Sequence, residues 1–129
     1  MIKVYIASPY SNGDKEQNVA LQLMVFEYLA NHGYAPYAPL WSHFQNLVYQ
    51  RPWEDWMRLD KEWVKMCDCV LRLEGESRGA DIEVALAKRK AKPVFYSERE
   101  LINYYNRWKL TRWILGVYRH LLSIWKRLF

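Results

Sequence analysis

The stretch from Gly75 to Ala87, GESRGADIEVALA, holds the residues of this chain whose types and spacing point most directly to chemistry. A Gly/Ser turn leads into a small-residue, apolar helix that carries two carboxylates, Asp81 and Glu83, in its first turns. An acid near a helix N-terminus is stabilised by the helix dipole, so either residue could serve that end alone. Glu83 differs from Asp81 in its company: Ile82, Val84, Leu86 and Ala87 set it close to whatever the helix packs on. It is therefore either a dipole-stabilising residue or a carboxylate held in a pocket for nucleophilic or acid–base work. Asp81 is expected to face solvent, and Asp68, directly before a strand, to cap or brace it.

Two loops accompany the acids. SPYSNG (8–13) and EGESRG (74–79) each open onto a helix N-terminus, where backbone N–H groups and hydroxyls form a site for an anion. Neither is a Walker A loop or a dinucleotide fingerprint. His32, His43 and His120 lie far apart without ligand spacing, so no metal and no cofactor are expected. Cys67 and Cys69 are too close for ordinary disulfide geometry and sit in an apolar run, as core thiols of a cytoplasmic protein do.

The elements that must position these residues follow from periodicity. IKVYIA (2–7) is a buried strand that ends in the first loop. After a turn at Asn12–Gly13, residues 14–32 form a helix with Val19, Leu23, Phe26 and Leu29/Ala30 on its apolar face and Gly33 as its C′ residue. YAPYAP (34–39) is a short extended segment, and WSHFQNLVYQRP (41–52) an irregular aromatic loop. Pro52 suits the first position of the next helix, WEDWMRLDKEWVKMC, which ends before a third strand, DCVLRL (68–73). The helix of the opening stretch follows, and then a fourth strand, KPVFYS (92–97). Strand and helix alternate with no hairpin returns, which predicts right-handed crossovers and a parallel sheet of four or five strands in a flavodoxin/Rossmann-like three-layer sandwich. Ligands of such sheets bind at the carboxyl ends of the strands, where both loops lie.

At 129 residues the chain suits one α/β domain, residues 1–97, with a helical extension over 98–129. Residues 1–97 hold 12 Lys/Arg and 12 Asp/Glu, while 98–129 hold seven and two, so the whole formal +5 belongs to the extension. A charge-balanced body argues against a basic nucleic-acid-binding domain, and no nucleic-acid partner is expected. No apolar run is long enough to cross a membrane, and no signal peptide is expected.

YIASPYS at the first strand, Asp60 eight residues before Asp68, and Ser77-x-Gly79-x-x-x-Glu83 opening an Ala-rich helix together resemble the nucleoside 2-deoxyribosyltransferase superfamily, over residues 2–97. The nearer likeness is to the 2'-deoxynucleoside 5'-monophosphate N-hydrolases. The resemblance implies that Glu83 is the nucleophile attacking C1' of deoxyribose, and that Asp60 protonates the leaving base or holds the sugar. It further implies that Tyr5 stands near both, that Ser8, Ser11 and Asn12 form the first phosphate loop, and that Ser77 and Gly79 form the second. The first loop departs from the hydrolase pattern, with Pro9 and Tyr10 and no basic side chain; Arg78 is the nearest basic residue in either loop. Two carboxylates around an N-glycosidic bond follow the logic of retaining glycosidases. The implied substrate is a deoxynucleotide, resolved by water in a hydrolase or by a second base in a transferase.

His43, with Trp41, Phe44 and Trp53, either lines a base pocket or is a satisfied loop residue. The aromatics of 34–63 suit nucleobase stacking and equally the interface of a homodimer or larger homo-oligomer, the state the resemblance implies. From Trp108 onward, Leu110, Trp113, Ile114, Val117, Tyr118, Leu121, Leu122, Trp125, Leu128 and Phe129 form an apolar stripe. Lys109, Arg112, Gly116, Arg119, His120, Ser123 and Lys126 fall opposite. Such a helix packs on its own sheet or on a partner, or rests on a membrane surface.

Overall fold

Four parallel strands carry the site, and their order decides where the site lies. The computed structural model describes residues 1–128; Phe129, assigned above to the apolar stripe, falls outside them, as does the side chain of Leu128. Strands β1 (Lys3–Ala7), β2 (Ala35–Tyr37), β3 (Cys69–Arg72) and β4 (Val94–Phe95) pair in the order β2-β1-β3-β4, every pair parallel. Helix α1 (Lys15–Asn31) links β1 to β2, and α4 (Arg78–Arg89) links β3 to β4. Between β2 and β3 come a 3-10 turn (Pro39–Trp41), α2 (Ser42–Val48) and α3 (Trp53–Met66); α5 (Glu98–Leu128) follows β4. Right-handed crossovers that run outward from β1 in opposite directions put α1 on one face and α3 and α4 on the other. The result is the expected three-layer, Rossmann-like α/β fold. Its switch point, where successive connections diverge, lies between β1 and β3.

Covering both faces explains why the central strands are apolar over Val4–Ala7 and Cys69–Leu71, with Lys3 and Arg72 only at their ends. Val4, Tyr5, Ile6, Ala7, Cys69, Val70 and Leu71 are all completely buried. The core beneath α3 and α4 joins Tyr5, Ala7 and Val70 of the sheet to Val64, Cys67, Ala80, Val84 and Ala87. Both cysteines are buried and free. Asp68 braces the edge of β1, its carboxylate accepting from the Lys3 N–H at 2.7 Å.

Three readings of local structure are corrected. The segment 41–52 is not an irregular loop: the 3-10 turn and α2 occupy most of it, and α2 buries no residue, so apolar burial left no helical pattern to read there. Pro52 is the N-cap of α3 rather than its first residue, with an extended ψ of 155°. The inward face of α1 is Val19, Gln22, Val25 and Leu29, with Leu23, Phe26 and Ala30 at its margin. A buried glutamine displaced the expected stripe by one position. The end of α1 follows expectation: Gly33 takes φ +81°, its N–H donates to the Ala30 carbonyl, and Tyr34 N–H donates to that of Leu29.

Gln22 repays its burial with hydrogen bonds. Its amide Nε2 donates to the Ile6 carbonyl at 2.9 Å and to Ser8 Oγ at 2.8 Å, while its Oε1 accepts from the Leu40 N–H at 2.8 Å. One side chain thus fastens the end of β1 to the 3-10 turn after β2. Residues Met1–Glu98 form one compact unit, and the chain from Arg99 onward a second, helical one. Replacing Gln22 by Leu, of similar size, would strand the Leu40 N–H in the interior. Chemical denaturation should show a loss of about 2–3 kcal/mol; a loss below about 0.5 kcal/mol would mean that these bonds do not secure the strand end.

Candidate active site

Spacing along two helices brings the two acids into one cavity. On α4, Ala80, Glu83, Val84 and Ala87 fall at i, i+3, i+4 and i+7, so Glu83 lies within the helix's core-facing stripe and is only 5% exposed. On α3, Met57, Asp60 and Val64 recur at i, i+3 and i+7; Met57 and Val64 are buried and Asp60 half-buried. Both carboxyl groups line a cavity of about 490 Å³ at the carboxyl end of the sheet. Glu83 is thus no solvated helix-start acid. Asp81, by contrast, has a side chain 70% exposed, as expected, and pairs with Arg72 at 3.0 Å.

Tyr5 reaches across from β1. Its hydroxyl donates to Glu83 Oε1 at 2.8 Å, in the interior. Behind it, Tyr37 stacks on the Tyr5 ring at 5.8 Å and Trp63 on Tyr37 at 4.6 Å, fixing the phenol in place. The electrostatics follow from this burial. Loss of solvent pushes the Glu83 carboxyl up to about 8; the Tyr5 hydrogen bond pulls it back, Asp60 adds to the rise, and Arg72 opposes it. Burial likewise pushes Asp60 up to about 7. Burial first, and then the Glu83 and Asp60 carboxylates, hold the Tyr5 phenol well above its ordinary range, so it stays a donor.

The rim of the cavity comes from the two loops. Ser8, Ser11 and Asn12 line it from the first, and Ser77, Arg78 and Gly79 from the second. Several of these residues also hold the loops together. Ser8 is nearly buried and accepts from Gln22, which leaves its own hydroxyl proton able to point into the cavity. Asn12 Nδ2 donates to the Glu76 carbonyl at 2.9 Å, bridging one loop to the other. Ser77 is the N-cap of α4, its Oγ accepting from the Ala80 N–H at 3.2 Å. Gly75, at φ +113°, lies so near Pro9 that a β-carbon would stand 2.8 Å from the proline Cγ. At Gly79 a β-carbon would come within 3.3 Å of Met57 Sδ, so its absence lets α4 sit close to α3.

His43 lines the opposite wall with its Nδ1 and the Tyr10 hydroxyl 2.8 Å apart, so it is both a cavity residue and a satisfied one. Trp53, Trp56, Arg51 and Asn46 complete that wall. Trp56 Nε1 and the Arg51 N–H both donate to Asn46 Oδ1 at 2.9 Å, and Arg78 lies over the Trp53 ring at 5.2 Å.

Sequence reasoning passed over Arg72, whose guanidinium donates to the carbonyls of Leu73 and Gly75 and to Asp81. An arginine inside the apolar run DCVLRL was its signal: a charge there must be paired. Among the described residues, no three His, Cys, Asp or Glu side chains are grouped as a metal site would need.

Residues 2–97 match the family described as "Domain of unknown function (DUF7768)", and the chain belongs to that family. No curated protein sequence matches it. Among solved structures it is similar to a 2-deoxyribosyltransferase of the psychrotolerant bacterium Bacillus psychrosaccharolyticus. The two share 22% identity with a TM-score of 0.51, over 71% of this chain and 69% of that one. The likeness is one of fold.

Burying Glu83 should leave a mark on stability. Its folded-state pKa of about 8 lies above the unfolded value near 4.5. Its contribution is therefore complete below pH 4.5 and is lost as pH rises through 8. The neutral isostere Glu83→Gln should melt roughly 5 °C above wild type at pH 9, with the gap closing toward pH 4. Equal gaps at both pH values in a thermal-melt series would contradict a buried, reluctantly ionised carboxyl.

Proposed function

We propose that this DUF7768 member is an N-glycosidase that releases the base from a 2'-deoxynucleoside 5'-monophosphate. The observation that carries the reading is a buried glutamate, held by a tyrosine hydroxyl at 2.8 Å, sharing one cavity with a second carboxyl group. Glu83 acts as the nucleophile. With Oε1 held by Tyr5, Oε2 attacks C1', the C1'–N bond breaks, and its electron pair leaves with the base, which takes the Asp60 proton. The resulting glycosyl ester is then opened by water, whose proton returns to Asp60, releasing deoxyribose 5-phosphate and regenerating Glu83.

Asp60 suits the acid role because burial favours its protonated form near neutral pH. Trp53, Trp56 and His43 offer π-faces and a polar edge for a base. Ser8, Ser11, Ser77, Gly79 and the start of α4 offer hydroxyls and N–H groups to a phosphate, with Arg78 as the neighbouring cation and Asn12 holding the two loops in register. Trp41, Phe44, Leu47 and Val48, all exposed beside this wall, support the homo-oligomer expected from the sequence. The likeness in fold to a 2-deoxyribosyltransferase supports a second reading, in which a free base rather than water resolves the ester.

Product analysis separates these readings. Incubation with a deoxynucleoside monophosphate should yield free base and deoxyribose 5-phosphate; a new nucleotide formed when a second base is added would assign base exchange instead. Glu83→Ala should lower turnover by about 10³-fold or more while substrate still binds. Absence of cleavage by wild type across deoxynucleosides and their monophosphates would end the enzymatic reading.

The pH profile tests the pairing. Activity needs Glu83 ionised and Asp60 protonated, so kcat/KM should be bell-shaped with its maximum between pH 7 and 8. Tyr5→Phe removes the donor that holds the Glu83 pKa down; because the group that must be ionised has the higher pKa of the pair, the descending limb should move to higher pH while the maximum falls. An unshifted limb would show that Tyr5 only packs.

A further inference from the structure

We propose that α5 docks, through residues 108–127, onto the surface of an anionic lipid bilayer, lying in its plane. The segment presents two sectors. At 3.6 residues per turn, Lys109, Arg112, Arg119, His120, Ser123, Lys126 and Arg127 fall within a sector of roughly 120°, and Gly116 lies among them. The remaining circumference is apolar apart from Thr111, and its large side chains are exposed: Trp113 at 67%, Tyr118 at 60%, Leu110 and Leu121 at 57%. An apolar face of this width on a surface helix calls for a covering medium.

Charge selects that medium. From Leu101 to the end of the sequence there is no Asp or Glu, while Arg107, Lys109, Arg112, Arg119, Lys126 and Arg127 are all basic. Residues 1–97 are balanced at 12 of each sign, so the cationic character is confined to this segment. Two copies packed through their apolar faces would bring like charges together with no carboxylate in either segment to offset them. A sheet of lipid phosphates meets the cations along both borders at once. Those borders carry the residue type suited to a headgroup boundary: Trp108 falls beside Lys126 and Arg119 at one edge, Trp113 beside His120 at the other. Arg112 lies over the Trp108 ring at 4.7 Å, which keeps that guanidinium at the edge of the apolar sector. Among the described residues no helix is long and apolar enough to cross a membrane, so the orientation is parallel to the surface.

Vesicle flotation with the full chain tests this. Wild type should float with phosphatidylcholine vesicles containing about 30 mol % phosphatidylglycerol, with an affinity at least about tenfold above that for phosphatidylcholine alone. About 0.5 M salt should weaken binding by a similar factor. The triple variant K109E/R112E/R119E and the double variant W113A/L121A should each lose flotation, since one removes the charge and the other the apolar anchor. Circular dichroism and base release in bulk solution, if the enzyme reading holds, should be unchanged in both. Failure of wild type to float would overturn the proposal whether or not the chain is an enzyme. So would equal binding to both vesicle types, or a soluble oligomer, seen by sedimentation, that W113A/L121A dissociates.

Discussion

The Tyr5–Glu83 hydrogen bond is the constraint around which the site is organised. A carboxyl group in the interior is tolerated only with a partner, and the hydroxyl that bonds Glu83 comes from β1, a central strand of the sheet. The parallel sheet fixes Tyr5, the Tyr37–Trp63 stack keeps its ring from swinging, and the phenol in turn fixes one oxygen of Glu83. Glu83 also lines a cavity shared with Asp60. Positioning and electrostatic tuning thus share one origin, because the same burial that needs Tyr5 also raises both carboxyl groups.

Much of this was readable from residue types. The alternation of apolar runs with helical periods gave a parallel α/β sheet, since parallel strands covered on both faces are apolar along their covered length, as Val4–Ala7 and Cys69–Leu71 are. The apolar neighbours of Glu83 left its place open between a dipole-stabilising acid and a pocketed carboxylate, and only the family resemblance favoured the pocket; the Ser/Gly loops were placed by their position after strands. What could not be read was whatever depends on polar groups inside the core. Gln22 looks like a surface residue of α1 until its three hydrogen bonds are seen, and it shifted the buried face of that helix by one residue. Helix α2 could not be read for the opposite reason: it buries nothing, so its aromatic residues carry no period. Arg72 announced itself as a charge in a strand, but its partners, two loop carbonyls and Asp81, are set only by the tertiary fold.

The loops at the switch point are joined to each other more firmly than loops at a sheet edge need be. Asn12 bonds to Glu76, Pro9 meets Gly75, and Arg72 ties the start of the second loop to the first turns of α4. Were the proposed phosphate to bind there, N–H groups and hydroxyls would have to converge beforehand, and such cross-links would supply that preorganisation.

Gly79 adds a further consequence. Its bare α-carbon faces Met57, three residues before Asp60 on α3, and it lies four residues before Glu83 on α4. A β-carbon there would press on Met57 Sδ at 3.3 Å, so the glycine favours the close approach of the two helices that carry the acids. For enzymes that cleave glycosidic bonds, the span between the two acids decides between direct attack by the carboxylate and attack by an interposed water, and so the configuration of the released sugar. If the proposed glycosidase reading holds, stereochemical outcome in this fold would follow from helix packing.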